Sequence, residues 1–276
     1  MTVHLYFEGK TIKDFLQFYA ISKSNIYKLE NDKKLTINGQ FERFDYHLKE
    51  SDQIEIDFKD IYTTTIKPHK GKIDILYEDL DIVILNKPPY LLVHPDGNTE
   101  DTLANRVLYH YEKQNYPFPV LPAHRIDLET SGMVIFSKHG LAHAYLSSLF
   151  ESHEIKKTYV CLCMHPFKED SGIIDKKIGK DRHASKQVIS PTGKDAITKY
   201  KVIQTEGKIS KVEAEIIGGR KHQIRVHMAS ISHPLLGDKL YGSNQASDRC
   251  MLHFKKVSFV HPRTMKTETY YCPESF

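Results

Sequence analysis

The sequence contains no apolar run that approaches the ~20 residues a bilayer-spanning helix needs. Its start, Met1 to Lys10, has no basic stretch leading into a long apolar core, so no signal peptide is expected. No surplus of one charge dominates either. The 39 Lys and Arg face 35 Asp and Glu, a formal +4 that permits a polyanionic partner without demanding one. Cysteine is scarce. Cys161, Cys163, Cys250 and Cys272 lack zinc-ribbon spacing, although Cys161 and Cys163 fall on one face of an expected strand. They read as reduced, semi-buried side chains of a cytoplasmic protein. Also missing are a G-x-G-x-x-G loop, a Walker loop, an H-E-x-x-H pair and a nucleophile elbow. Each absence removes the apparatus of a class: dinucleotide redox, phosphoryl transfer, zinc hydrolysis and serine hydrolysis. There is no internal repeat or low-complexity segment.

What is present suits a small domain ahead of a large one, since 276 residues can bury a substantial core. Residues 2–7 alternate like a strand. Thr11 and Asp14 resemble a capping box for a helix carrying Ile12, Phe15, Leu16 and Tyr19 on one face. Ser22 or Ser24 is placed to cap a second helix with Ile26 and Leu29. The stretch 35–41 reads as a hairpin turning at Asn38-Gly39 in a type I′ turn, and Ile54, Ile56 and Phe58 alternate in a closing strand. Residues 1–58 therefore form one expected unit. Its charge is divided: six lysines face three acids between 10 and 34, and three basic residues face seven acids between 42 and 60. A basic helical face suits phosphates, and a solvated surface with no partner has the same pattern.

Residues 59–72 lack apolar periodicity, contain Pro68 and Gly71, and read as a linker. The large domain, 73–276, opens with strands at 73–78 and 81–87 and a helix at 102–111. Further on come a buried strand at 133–136, a helix at 141–150 and a strand at 157–163. Segments 197–204 and 209–217 alternate and join through Glu206-Gly207 as a hairpin. Gly218-Gly219 breaks the pattern, 220–228 looks like the start of a helix, 237–242 is a loop, and strands at 252–260 and 267–271 close the chain. Hairpin-joined sheets with a few interposed helices indicate α+β, not a doubly wound nucleotide fold.

Chemistry concentrates between Leu121 and Lys138. A polar cluster, His124, Arg125, Asp127, Glu129, Thr130 and Ser131, sits between Pro122 and Gly132 at the lip of a buried strand. Asp127 and Thr130 also suit a simple turn. Arg220 and Arg225 flank Gln223 at a glycine-led helix start, where backbone N–H groups favour anions. A carboxylate paired with an arginine stays ionised, which suits a nucleophile or base better than an acid. Tyr159 offers a ring that stacks on a base or packs in a core. His222 and His227, five apart, are poorly spaced as ligands on one helical face and read as structural histidines.

Two resemblances extend this reading. The helix pair, Leu35-Thr-Ile-Asn-Gly39 and Ser51-Asp-Gln-Ile-Glu-Ile56 make residues 1–58 similar to the alpha-L motif, a small RNA-binding domain. From about 73 to 276 the chain resembles the RluA-type pseudouridine synthases. His124-Arg-Ile-Asp-Leu-Glu-Thr-Ser-Gly132 is close to their H-R-L-D-x-x-T-S-G, and Gly219-Arg-Lys-His-Gln-Ile-Arg-Val-His227 to G-R-T-H-Q-I-R-V-H. Gly237-Asp-Lys-Leu-Tyr-Gly242, Asn86-Lys-Pro-Pro89 with Val93-His-Pro95, and Lys157-Thr-Tyr159 complete the set in order. Tyr90 departs from it by standing where the family usually has glycine.

The resemblance implies a mixed, mainly antiparallel sheet and isomerisation of uridine to pseudouridine in structured RNA, without cofactor or metal. It implies Asp127 as the catalytic aspartate, Tyr159 stacking on the uracil and taking part in catalysis, and Arg225 pairing with Asp127. His124, Arg125 and Leu252 would bind substrate, with Arg125 holding the flipped nucleotide out of the RNA and Leu252 lining the base pocket. Ribosomal RNA is the favoured partner, tRNA the alternative, and a monomer without membrane contact is expected. A non-catalytic RNA-binding or ribosome-assembly factor on the same fold is the other reading. A glycoside hydrolase would need a second opposed carboxylate, for which Glu129 is the near candidate.

Overall fold

The computed structural model describes residues 7–181, 186–242, 247–274 and 276. The strand expected at 2–7 falls almost wholly outside these residues. Helix α1 (Ile12–Phe18) begins with the expected reciprocal cap: Asp14 N–H donates to Thr11 Oγ1 and Thr11 N–H to Asp14 Oδ2, both at 3.0 Å. Ser22 caps α2 (Lys23–Asn31) through the Asn25 N–H at 3.2 Å. Asn38 and Gly39, at φ 52° and 80°, make the tight turn the sequence indicated. Ile37 bridges Gln40 across this turn, as the hairpin reading expects, and the strand that β1 (Leu35–Ile37) takes as its longer partner is β2 (Ile54–Ile56), antiparallel. Buried Asp52 explains the choice, because it accepts from Asn38 Nδ2 at 2.9 Å while Gln53 N–H donates to Asn38 Oδ1 at 2.9 Å.

This unit packs on the rest of the chain through aromatic rings. Phe18 stacks on Tyr145 with centroids 5.7 Å apart, and the buried Tyr19 hydroxyl donates to Pro262 O at 2.7 Å. Segment 59–72 has no regular element, yet it lies pinned along the surface. Tyr62 meets Phe58 at 5.5 Å, Asn105 Nδ2 donates to Lys67 O at 2.7 Å, and His69 N–H to Asn105 O at 3.0 Å.

The remaining elements make one large sheet, a separate antiparallel pair of strands and the helices between them. In order they are β3 (Ile75–Glu78), β4 (Ile82–Lys87), α3 (Leu103–Glu112), β5 (Leu121–Pro122), β6 (Ser131–Ser137), α4 (Gly140–Glu151) and β7 (Lys156–Met164). Then follow β8 (Ser171–Asp175), β9 (Ile178–Lys180), β10 (Gln187–Ile189), β11 (Ile197–Glu206), β12 (Ile209–Ile217), α5 (Gln223–Ala229), β13 (Leu252–Val260) and β14 (Thr267–Tyr271). The ten-stranded sheet runs β3-β4-β6-β13-β7-β12-β11-β8, with β14 on β13 and β5 on β6. Among the described residues only β6 and β13 pair in parallel. The class is α+β with a mixed, mainly antiparallel sheet, as expected. β5, β8, β9 and β10 were not legible in sequence; they are short, and three of them are largely solvent-facing, so no apolar alternation marks them.

β6 is buried along its whole length. At its start Gly132, φ 108°, lies so close to β13 that a Cβ there would sit 2.4 Å from Phe254 O. Glycine alone lets the loop before β6 meet β13 at this point. α5 begins at Gln223, three residues later than the sequence suggested. Arg220 N–H is taken by Gln223 Oε1 at 2.9 Å, and Gln223 Nε2 donates to Ile197 O and Ile217 O at 2.9 and 3.1 Å. The glutamine thus staples the glycine-led turn to the β11–β12 hairpin instead of leaving a helix start open to an anion.

Candidate active site

A cleft of about 750 Å³ opens where β6, β7 and β13 meet the start of α5. The loop joining β5 to β6 lines it with His124, Arg125, Asp127 and Thr130, β7 with Lys157 and Tyr159, and β13 with Leu252. Arg220, His222 and Gln223 form the facing wall. The Asp127 turn is closed by main chain, Thr130 N–H donating to Asp127 O at 3.1 Å. The carboxylate is therefore not consumed by the turn and lines the cleft.

Two nitrogens face it. Arg225 Nη1 lies 3.8 Å and His222 Nε2 3.9 Å from Asp127 Oδ2. Arg225 itself is held elsewhere: its Nε and Nη2 each donate at 2.8 Å to the fully buried Asp238 carboxylate. The expected Arg225–Asp127 pair is thus a secondary interaction. The physical reason is the planar fork of the guanidinium, which presents two parallel N–H groups to one carboxylate and leaves the third nitrogen for another. Burial disfavours the charge on Arg225, but the Asp238 bonds outweigh it and keep the guanidinium cationic.

Tyr159 packs in the core and also reaches the cleft. It is buried, 8% exposed, and stacks on its cross-strand partner Phe254 at 4.5 Å and 12° while still lining the cleft. Burial, then the neighbouring Asp127, raises its pKa, so the hydroxyl stays protonated. Leu252, 5% exposed, lines the cleft beside it, and Arg125 stands exposed at the rim. His124 is spent differently from the substrate-binding role expected of it. Its Nε2 accepts the Ile135 N–H at 3.1 Å and its ring packs 4.5 Å from Phe150. Burial lowers its pKa to about 3, so a neutral imidazole ties the loop to β6.

Three further groups hold this loop. The ammonium of fully buried Lys87 donates to Pro88 O and Leu91 O at 2.8 Å and to Leu128 O, beside Asp127, at 3.2 Å. Burial pushes its pKa down to about 7 against the opposing pull of Asp127. Tyr90, the departure from the family pattern, sits in the left-handed region at φ 62°, where glycine is free of strain. Its N–H donates to Leu128 O at 2.8 Å and its hydroxyl to Asp248 O. The carboxylate of Glu129 accepts Cys250 N–H at 3.0 Å, a structural engagement that removes it as the opposed acid a glycoside hydrolase needs.

Lys87, Asp238, Tyr241 and His222 are the residues around the acid to which the sequence assigned no role there. His222 was weighed as a metal ligand and read as a structural histidine, and Asp238 and Tyr241 entered only as letters of a loop motif. His227 is structural as expected, bonded to Thr198 Oγ1 at 2.8 Å and Lys176 O at 2.9 Å. Remote from the cleft, Asp79, Asp81 and His261 cluster, but Arg263 pairs with Asp81 and His139 hydrogen-bonds to it. A cation has little left to gain there.

A carboxylate, an aromatic wall and a cationic backing in one cleft describe an enzyme site. The family model for RNA pseudouridylate synthase matches residues 81–230. The chain is 39% identical over 249 residues to the RNA pseudouridine synthase YhcT of Bacillus subtilis strain 168, spanning 88% of this chain and 82% of that one. It is 33% identical over 224 residues to ribosomal large subunit pseudouridine synthase D of Vibrio cholerae, spanning 73% and 67%. Among solved structures, human RNA pseudouridylate synthase domain containing 1 shares the fold at TM-score 0.64 and 22% identity, over 78% of this chain and 87% of that one. The chain belongs to the RNA pseudouridylate synthase family, and it is an isomerase of uridine in RNA. The RluA-type resemblance of its motifs is borne out.

Proposed function

We propose that this synthase acts on ribosomal RNA, with Asp127 as the reacting carboxylate. The observation that carries the assignment of Asp127 is its place in the cleft with Arg225 and His222 facing one oxygen at 3.8 and 3.9 Å. A carboxylate near a guanidinium and an imidazole, yet not locked in a close pair, keeps a lone pair for the sugar or base. Isomerisation breaks the uracil–ribose bond, turns the base and rejoins it through carbon five. One proton leaves that carbon and one arrives at the ring nitrogen, so the reaction balances without redox or metal chemistry. Tyr159 and Leu252 form the wall for the uracil, and Arg125 at the rim stands where a flipped nucleotide must be held. Flipping costs a few kcal/mol and favours unpaired regions.

Ribosomal RNA is supported by the relative named for the large subunit and by the likeness of residues 1–58 to the alpha-L motif. Exposed Lys10, Lys13, Lys23 and Lys33 supply phosphate partners. The four free, buried cysteines suit a reducing cytoplasm, and the protein works as a monomer. Mapping pseudouridine in ribosomal and transfer RNA, with and without the protein, tests this reading. Loss of a ribosomal site on deletion is the expected result, and loss confined to tRNA selects the alternative.

A further inference from the structure

His222 is the N-cap of α5, but its side chain makes no cap hydrogen bond and its backbone is left-handed at φ 57°. A strained residue that does no capping needs another reason to be there. The hydrogen bonds around it supply one. His222 Nδ1 lies 2.9 Å from the Tyr241 hydroxyl, and the same hydroxyl oxygen is 2.8 Å from the Gln187 N–H of β10. An amide N–H can only donate, so the Tyr241 oxygen accepts from Gln187. With that acceptor site filled, its own hydrogen is free to be directed to His222 Nδ1. A neutral imidazole whose Nδ1 accepts carries its proton on Nε2, the atom that faces Asp127 Oδ2 at 3.9 Å.

We propose that His222 is a positioning residue for the isomerisation, its tautomer set by Tyr241 so that its Nε2–H orients the Asp127 carboxylate. The proposal rests on Asp127 being the reacting acid. Loop 237–242 then serves both partners of that acid. Asp238 clamps Arg225 and accepts the Leu240 N–H at 3.1 Å and the Tyr241 N–H at 3.3 Å, and the Tyr241 ring lies under the Arg225 guanidinium at 5.2 Å. The wire also reaches β10, so the β9–β10 hairpin is connected to the acid through the Tyr241 and His222 side chains. Catalytic hydrogen bonds are commonly long before substrate binds, and 3.9 Å is within reach of a small closure.

Burial lowers the His222 pKa, with Asp127 and Asp238 opposing and Arg225 and Lys221 assisting. The bond donated by Tyr241 stabilises the neutral ring. Removing it therefore raises the pKa and moves the acid limb of the rate profile to higher pH.

Four measurements decide the matter. Nitrogen-15 spectra of the wild-type imidazole should show the Nε2–H tautomer, and an Nδ1–H tautomer would overturn the proposal without any variant. Tyr241→Phe, which keeps the ring under Arg225, should lower kcat by about ten- to a hundredfold, as for loss of a hydrogen bond to a charged site. KM should stay within about twofold and the acid limb should move up, since orientation is lost and uniform binding is not. His222→Gln retains an N–H and should be clearly more active than His222→Ala. Wild-type kcat and pH profile in Tyr241→Phe, or equal rates for the two His222 variants, overturn the proposal alone. An active Asp127→Asn overturns the underlying assignment of the acid as well.

Discussion

Asp81 and Asp127 are both carboxylates flanked by an arginine and a histidine, and they are built to opposite ends. Asp81 is closed: His139 Nε2 lies at 2.8 Å, Arg263 Nη2 at 3.0 Å, and its side chain is 5% exposed. Asp127 is open: its arginine and histidine stand back at 3.8 and 3.9 Å, and its side chain is 29% exposed. The closed acid joins the β3–β4 turn to the chain after β13, where the N-terminal helices dock through Tyr19 and Pro262. The open acid has its partners restrained by other groups, Arg225 by Asp238 and His222 by Tyr241. A saturated carboxylate stabilises the fold, whereas the carboxylate proposed to react keeps an unsatisfied oxygen near charge.

Asp127→Asn puts this contrast under the greatest strain. It should lower kcat by at least about a thousandfold, as removal of a reacting group does. The change in unfolding free energy should stay within about 1 kcal/mol, because no close partner is removed. A large drop in stability would mean that Asp127 is as structural as Asp81.

Asp238→Ala tests where Arg225 is really held. It leaves a buried guanidinium without its bidentate partner and should cost about 3–5 kcal/mol of stability by denaturant titration, with activity falling too. Wild-type stability in this variant would show that Asp127 alone satisfies Arg225.

Asp81→Asn should destabilise by about 1.5–3 kcal/mol, less than Asp238→Ala because Arg263 can turn to solvent, and should leave kcat within a few-fold. The pH dependence has a definite sign. Burial alone would raise the pKa of Asp79, but the His261 hydrogen bond and two backbone N–H groups hold it below the usual carboxylate range. Burial opposes and His139 and Arg263 likewise lower that of Asp81. Carboxylates depressed in the folded state stabilise it fully above their unfolded pKa of about 4 and lose that contribution as pH falls further. Stability should therefore drop below about pH 4, and less steeply in Asp81→Asn. Equal slopes would dissolve the distinction between the two acids.

The smallest effect is expected on the N-terminal helices. Replacing Lys10, Lys13 and Lys23 with alanine should reduce the salt dependence of RNA binding, with kcat unchanged. The log–log slope should flatten by about 0.7–0.9 for each phosphate no longer neutralised. An unchanged slope would give those helices a packing role only.

Local signals were read correctly where they rest on neighbours in sequence. The Thr11–Asp14 box, the Ser22 cap, the Asn38-Gly39 turn and the Glu206-Gly207 hairpin all need only a few adjacent residues. Buried strands such as Ile82–Lys87 and Ser131–Ser137 announce themselves by apolar runs. What failed was pairing at a distance. β1 found β2 beyond its immediate successor, β8 is recruited by β11, and β9 and β10 pair with each other. The helix start at Gln223 moved because one glutamine reaches back to β11 and β12.

Residue types and short spacings indicated an α+β chain and the order of its motifs, and the family resemblance of those motifs assigned Asp127, Tyr159, Leu252 and Arg125 to one chemistry. Which groups meet was settled in three dimensions. Arg225 chose Asp238, thirteen residues on, because a fork-shaped cation takes the carboxylate that can match it with two parallel bonds. His222 passed from structural histidine to neighbour of the acid because Tyr241 and Gln187, brought in by a loop and a distant hairpin, orient its ring. A residue's type shows what it can donate or accept; only the packed chain shows which partner is close enough to take it.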